Sequence, residues 1–326
     1  MNRRHFVGLA GRGAAGLWAG GLWGLWGLGG LGGLARVAPR DDVFVERWSW
    51  VMGQAAHLMV FAASEQEGLD ACAAALAELR RVEARLSLFD DASDLAELNR
   101  RAGRAPLRVD VDLRAVLSAA IAFRRATAGG FDVAVEPLMR LWGFHRPRRS
   151  EPTPAEIAEA RAAVRAAEIR RVGDRAFLPS AHTQLDFGGI GVGYGIDRAM
   201  AVLRGLGIRR AFVDVSGDCG ALGAPPGTDG WSVAVADPRT PGAILVERRL
   251  RDAALATSAN TVAVHRYGRA VRGHVMNPTT GRPAEGRRQA TVVARTAVAA
   301  DALSTGMLVS GRIPARGEVL RAYVVS

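Results

Sequence analysis

The chain has 326 residues, 49% of them hydrophobic and 23% charged, proportions that exclude a wholly disordered chain and a polytopic membrane protein. Its formal net charge is +11, and all 43 basic residues are arginine, a bias of composition rather than of function. Five of those arginines lie in residues 1–40, which hold no acid, so the remainder of the +11 is only +6; it is spread without interleaved aromatics and points away from nucleic acid. Two cysteines, Cys72 and Cys219, make neither a disulfide scaffold nor a zinc site.

Arg3 and Arg4 precede Phe6, Val7 and Leu9, and residues 13–35 contain no charge. The pattern resembles a twin-arginine export signal, with a break after Ala35 as the expected cleavage point. Glycine dilutes the apolar run below the hydrophobicity of a lipid-spanning helix, yet its length also suits an uncleaved anchor across a bilayer of roughly 30 Å. Export is the favoured expectation. It places residues 41–326 in the periplasm or on its membrane face, with membrane contact through the N-terminus. No cysteine stands near the end of the run, which rules out a lipoprotein anchor there. An oxidising compartment permits a Cys72–Cys219 bond, although one thiol falls on an Ala-rich helix and the other after a strand, so free thiols are expected.

Residues 43–63 alternate as a first hairpin, and Leu69, Ala73, Leu76, Leu79, Val82 and Leu86 recur at helical spacing over 65–85. A second helix is expected over about 112–128, stopped by Gly129-Gly130, and a third over about 154–169, opened by Thr153-Pro154. Short strands follow near 184–187, 211–216, 231–236, 244–249, 261–265 and 290–295, and a last helix starts near Val298. Hairpins without a regular βαβ period predict an α+β fold, and no linker divides the exported part.

Five segments carry candidate chemistry. Leu86-Ser87-Leu88-Phe89 is followed by Ser93-Asp94-Leu95, where Ser93 is placed to cap a helix. In Gly130-Phe131-Asp132, with Trp142-Gly143-Phe144 downstream, the glycine allows a sharp turn and Asp132 can receive backbone donors; the alternative is a tight turn with two core aromatics. Leu185-Asp186-Phe187-Gly188-Gly189-Ile190-Gly191-Val192-Gly193 is a strand running through glycines into a helix, suited to phosphate or, equally, to close strand-to-helix packing. Val215-Ser216-Gly217-Asp218 ends a strand in a polar turn. Last, His274 begins a turn through Val275, Asn277 and Gly281, while Asp301 and Thr305, at i and i+4, share a helix face; such hard oxygens suit magnesium, though Asp301 also fits as a helix-start acid.

In this order the segments resemble the ApbE family of FAD:protein FMN transferases over roughly residues 43–311. The resemblance implies a T-fold-related α+β domain binding FAD as substrate with Mg²⁺ at its diphosphate. It also implies transfer of FMN as a phosphoester to a threonine or serine of a respiratory, membrane-associated acceptor flavoprotein, with release of AMP. Carried over residue by residue, Asp301, Thr305 and the Gly189 carbonyl correspond to magnesium ligands. Gly130, Phe131, Asp132, Asp186, Val192 and Val275 correspond to nucleotide contacts, and His274 with Asp301 to catalysis, His274 as base or phosphate donor.

Two positions depart from the family pattern: Val192 stands where lysine is usual, and Asn277 where aspartate is usual. A lost contact to a charged group costs about 1.5–3 kcal/mol, so slowed turnover is expected, with a non-catalytic flavin donor or chaperone and an Mg²⁺-dependent FAD pyrophosphatase as the alternatives. The export signal is similar to that of the subgroup linked to nitrous-oxide respiration.

Overall fold

Met52 and Gly53 both take positive φ (53° and 68°), the two-residue turn that matches the twist of antiparallel strands, and they join Val43–Val51 to Gln54–Ala62. The computed structural model that this hairpin opens describes residues 42–261, 263–312 and 319–326; the export segment and the break after Ala35 lie outside the described residues. From Val43 onward the chain forms one compact unit. Among the described residues no helix is long and apolar enough to cross a membrane.

Seven strands make a sheet in the order Val43–Val51, Gln54–Ala62, Arg210–Val215, Asp218–Leu222, Ala253–Ala259, Gln289–Ala294, Val319–Val325. Every neighbouring pair is antiparallel. Alternation along the strands divides the side chains between two cores. Ala211, Val213 and Val215 face a helical layer with Leu58, Val60 and Val292, while Phe212, Leu255 and Val293 face the hairpin of Trp231–Ala236 and Ile244–Leu250, whose Trp231 packs on Phe212. Cys72 belongs to the first core and Cys219 to the second, both as free buried thiols, so the sheet itself separates them.

Three helices cover the first face: Glu65–Leu86, capped by Ser64, then Gly191–Gly205, then Ala297–Ser310. A further core gathers Leu95, Leu113, Leu117, Phe131, Leu185 and Ile190 around the helices Asp94–Arg100 and Val111–Ala126. Ser93 caps the shorter of these, accepting from the Ala96 N–H at 3.0 Å.

Residues 184–187 are not the strand that their apolar alternation predicts. The Leu185 N–H donates to Asn99 Oδ1 (2.8 Å), the Leu185 carbonyl accepts from Asn99 Nδ2 (2.9 Å), and the Asp186 N–H donates to the Val133 carbonyl, so a side chain and a loop replace the ladder. Nor do all the glycines precede the helix: it begins at Gly191 and contains Gly193 and Gly195. The third helix stops at Arg165, ahead of the short strand Arg170–Val172. The strand expected near 261–265 runs from Val264 to Tyr267.

The site is positioned by the crossing of the helices Gly191–Gly205 and Ala297–Ser310. A Cβ on Gly193 would stand 2.8 Å from Asp301 Cβ and nearer still to the Ala297 carbonyl, so only glycine permits this approach. Gly193→Ala is therefore expected to destabilise the protein by about 1–3 kcal/mol in urea unfolding, the cost typical of overpacking. Gly205→Ala, with open space at its Cβ, should be neutral or stabilise by about 0.5–1 kcal/mol; equal effects of the two would contradict this packing.

Candidate active site

The helix Ala297–Ser310 is buried along most of its length, which makes its few polar side chains conspicuous. Its first amides are capped twice. Thr296 accepts from Ala299, and the Asp197 carboxylate reaches from the neighbouring helix to accept from Ala297 (2.8 Å) and Val298 (2.9 Å). One turn in, Asp301 Oδ2 accepts from the Gly193 N–H at 3.0 Å, and one turn further Thr305 Oγ1 lies 3.0 Å from Ser258 Oγ. Ser258 Oγ also meets Ser304 Oγ at 2.8 Å, and Ser304 bonds back to the Asp301 carbonyl.

Against this face comes the glycine turn. A Cβ on Gly189 would stand 3.0 Å from Thr305 Oγ1 and 3.5 Å from the Phe131 ring. Gly130 in turn abuts the Gly306 carbonyl, 2.8 Å from where its Cβ would be. Gly130, Phe131, Gly189, Asp301 and Thr305, distant in the chain, thus converge. Asp132 lies beside them, but its oxygens are engaged: Oδ1 caps the Ala134 N–H at 2.9 Å and Oδ2 pairs with Arg124 at 2.8 Å. Burial raises its pKa, against the pull of those two partners.

The electrostatics of the centre are unfavourable without a cation. Burial, and then the charge of Asp218, push the Asp301 carboxyl well above the usual carboxylate range. Asp218 opens the strand after the Ser216–Gly217 turn, accepts from the Thr257 N–H at 3.0 Å, and is pushed up to about 7 by burial and by Asp214. A divalent cation would relieve this like-charge strain, and the carboxylate of Asp301 with the hydroxyls of Thr305 and Ser258 is the hard-oxygen set that magnesium prefers. The donors present fit the metal.

His274 has a buried Nδ1 with no hydrogen-bond partner among the described residues, and burial lowers its pKa, so the ring is neutral near pH 7. The strand that carries Ser258 continues into Asn260, which anchors this segment: its Oδ1 accepts from the Val275 N–H at 3.1 Å, and its backbone crowds Gly273. Val275 itself is in the helix-side core, with its carbonyl accepting from Ala284. Asp186 Oδ1 accepts from the Gly188 N–H at 2.7 Å, while Oδ2 faces His145 at 3.8 Å.

A family model described as the ApbE family matches residues 52–320. A protein of Haemophilus influenzae named FAD:protein FMN transferase is 31% identical over 243 residues, 72% of this chain and 70% of that one. The chain belongs to the ApbE family. Solved ApbE structures agree: the Thermotoga maritima protein superposes with a TM-score of 0.74 at 28% identity over 82% of this chain and 87% of that one. The Pseudomonas stutzeri flavinyl transferase ApbE in its apo form gives 0.72 at 25% identity over 82% and 85%.

Within this ApbE chain the two departures have clear structural settings. The Val192 side chain, half-buried, packs against the helix-side core. Asn277 Oδ1 accepts from the Thr279 and Thr280 N–H groups, a task that needs an oxygen but no charge. Asp218 enters the site from the polar turn expected after Val215, whereas no motif singled out Ser258, Asn260 or the capping role of Asp197, because their partners are brought in from other elements.

The raised carboxyls fix a pH dependence. A carboxyl that holds its proton more tightly when folded contributes stability that is complete below its unfolded pKa and is lost as pH rises through the folded value. Between about pH 4 and 7 the metal-free ApbE protein should therefore lose stability as pH increases. At pH 8 Asp218→Asn should raise Tm by about 2–4 °C, the shift produced by about 1 kcal/mol in a large domain. Thermal melts with and without millimolar Mg²⁺ check this; a gain undiminished by Mg²⁺, or no gain at all, would contradict it.

Proposed function

We propose that this ApbE-family chain is an FAD:protein FMN transferase that requires Mg²⁺. The observation that carries the reading is the placement of Gly189 against Thr305, one turn from Asp301, at a glycine turn leading into a helix N-terminus. Asp301, Thr305 and the Gly189 carbonyl would hold the metal, with Ser258 beside them. When bound, Mg²⁺ neutralises charge on the diphosphate and on departing AMP.

The chain's own residues supply the rest. In the first turn of Gly191–Gly205 the Gly191 and Gly193 amides are taken by the Phe187 carbonyl and Asp301, so the Val192 amide is the one offered to phosphate, and Phe131 closes one wall beside Gly189. The acceptor hydroxyl oxygen forms a bond to the FMN phosphorus while the P–O bond to AMP breaks. The hydroxyl proton goes to His274, a neutral imidazole. Excluding water from this pocket separates transfer from hydrolysis.

The acceptor is a respiratory flavoprotein at the membrane, reached after export of the chain by its twin-arginine segment into the periplasm, with residues 1–40 providing the membrane contact. Nitrous-oxide respiration is the setting that the export signal favours.

Incubating the full chain with FAD, Mg²⁺ and a threonine-bearing acceptor protein should leave flavin covalently on the acceptor and AMP in solution. Free FMN with AMP would point to a pyrophosphatase, and unchanged bound FAD to a flavin donor or chaperone. Asp301→Ala should abolish Mg²⁺-dependent turnover, and full activity in that variant would refute the metal assignment. His274→Ala should slow transfer by about 10²–10⁴, the usual worth of a positioned base, while FAD still binds; an unaltered rate would remove His274 from the reaction.

A further inference from the structure

Glu136, His145 and Asp186 lie together outside the oxygen cluster just described, their ligand atoms within 4.8 Å of one another. Glu136 opens the helix Glu136–Leu141 and is 2% exposed; one of its oxygens pairs with Arg140 Nη2 at 2.8 Å and the other meets His145 Nδ1 in a short hydrogen bond. On the other ring nitrogen, Nε2 faces Asp186 Oδ2 at 3.8 Å. Phe89 covers the imidazole edge-on, with ring centres 5.2 Å apart.

We propose that His145 is a positioning residue: lying between the carboxylates of buried Glu136 and half-buried Asp186, it fixes Asp186 and, through it, the Gly188–Gly189 turn. Asp186 spends Oδ1 on the Gly188 N–H and its own N–H on the Val133 carbonyl, so the charge of an imidazolium 3.8 Å from Oδ2 adds a third restraint and leaves the turn little freedom. The next residue of that turn, Gly189, stands against Thr305. The inference thus rests on the reading of Gly189 and Thr305 as the cation end of the FAD site, and it adds what holds that end in place.

Two carboxylates a few ångströms apart, one buried and one half-buried, repel, and an imidazolium between them supplies the counter-charge, a hydrogen bond to Glu136 and an N–H turned toward Asp186. The charged and titratable groups that face the ring are Glu136, Asp186, Arg140 and His274. Burial works against the charged ring, but the hydrogen bond to Glu136 and the charges of Asp186 and Glu136 outweigh it, so the His145 pKa is raised. A chelated metal is the poorer reading of the trio. Glu136 and Asp186 address different ring nitrogens, and one ion cannot bind both sides of an imidazole.

The test uses the full-length protein and the variants His145→Gln and Glu136→Gln, with hydrogen exchange over residues 185–191 and fluorescence titration with FAD. In folded His145→Gln, exchange in that segment should quicken at least tenfold, the FAD dissociation constant should rise at least tenfold, and turnover at saturating FAD should change less than threefold. In the parent, the clamp is present below the folded His145 pKa and is lost as pH rises through it. Exchange beyond the intrinsic pH effect should therefore quicken above the ordinary histidine range, and in His145→Gln this step should vanish.

Exchange unchanged in folded His145→Gln would overturn the proposal. So would a Tm increase on adding Zn²⁺ to the parent that disappears in the variant, since the trio would then be a metal site. Should His145→Gln not fold, Glu136→Gln and the parent's pH series give the same decision. A parent that binds no FAD would defeat the functional reading alone, because exchange still judges the clamp.

Discussion

The site depends on two helices meeting more closely than side chains ordinarily allow. Gly193 removes the atom that would collide with Ala297, and two carboxylates then tie the pair: Asp301 to the Gly193 amide, Asp197 to the first two amides of the opposite helix. These bonds run in opposite directions between the helices, so neither can slide without breaking one of them. The metal-side residues inherit their rigidity from that crossing. Thr305 follows one turn from Asp301 on a helix whose far end is held by Arg287, which donates to the carbonyls of Leu308 and Val309.

Charge organises what packing has placed. Three groups of acids are answered differently. Asp132 has Arg124, Glu136 has Arg140 and His145, and Asp301 with Asp218 has, among the described residues, only backbone amides. The last pair is where an added cation gains most. The valine at position 192 packs its aliphatic side chain against the core.

Much of this was legible locally. The hairpin at 43–63, the amphipathic helix after Glu65, and the caps at Ser93 and Thr153 follow from spacing and hydrogen-bonding side chains. The ordered motifs led to Gly130, Phe131, Gly189, Asp301 and Thr305, which the fold brings into contact. Two central strands escaped notice because Asp218–Leu222 and Ala253–Ala259 are rich in small residues of low β-propensity, and pairing with neighbours makes them strands. Leu185 and Phe187 alternate like a strand, yet Asn99, 86 residues away from Leu185, takes both hydrogen bonds of Leu185, and the Phe187 carbonyl accepts from Ile190 and Gly191. Asp186 stood out in its glycine motif, but its partners Glu136 and His145 did not, since scattered polar residues become a unit only when folding brings them together.

The most direct measurement of the central claim is anomalous diffraction from crystals of the full chain soaked with Mn²⁺ and FAD, manganese standing in for magnesium. The account predicts a single strong peak bounded by the Asp301 carboxylate, the Thr305 hydroxyl and the Gly189 carbonyl, in contact with the flavin nucleotide's diphosphate. A peak confined to the Glu136–His145–Asp186 trio, or nucleotide bound away from the crossing of the two helices, would contradict it.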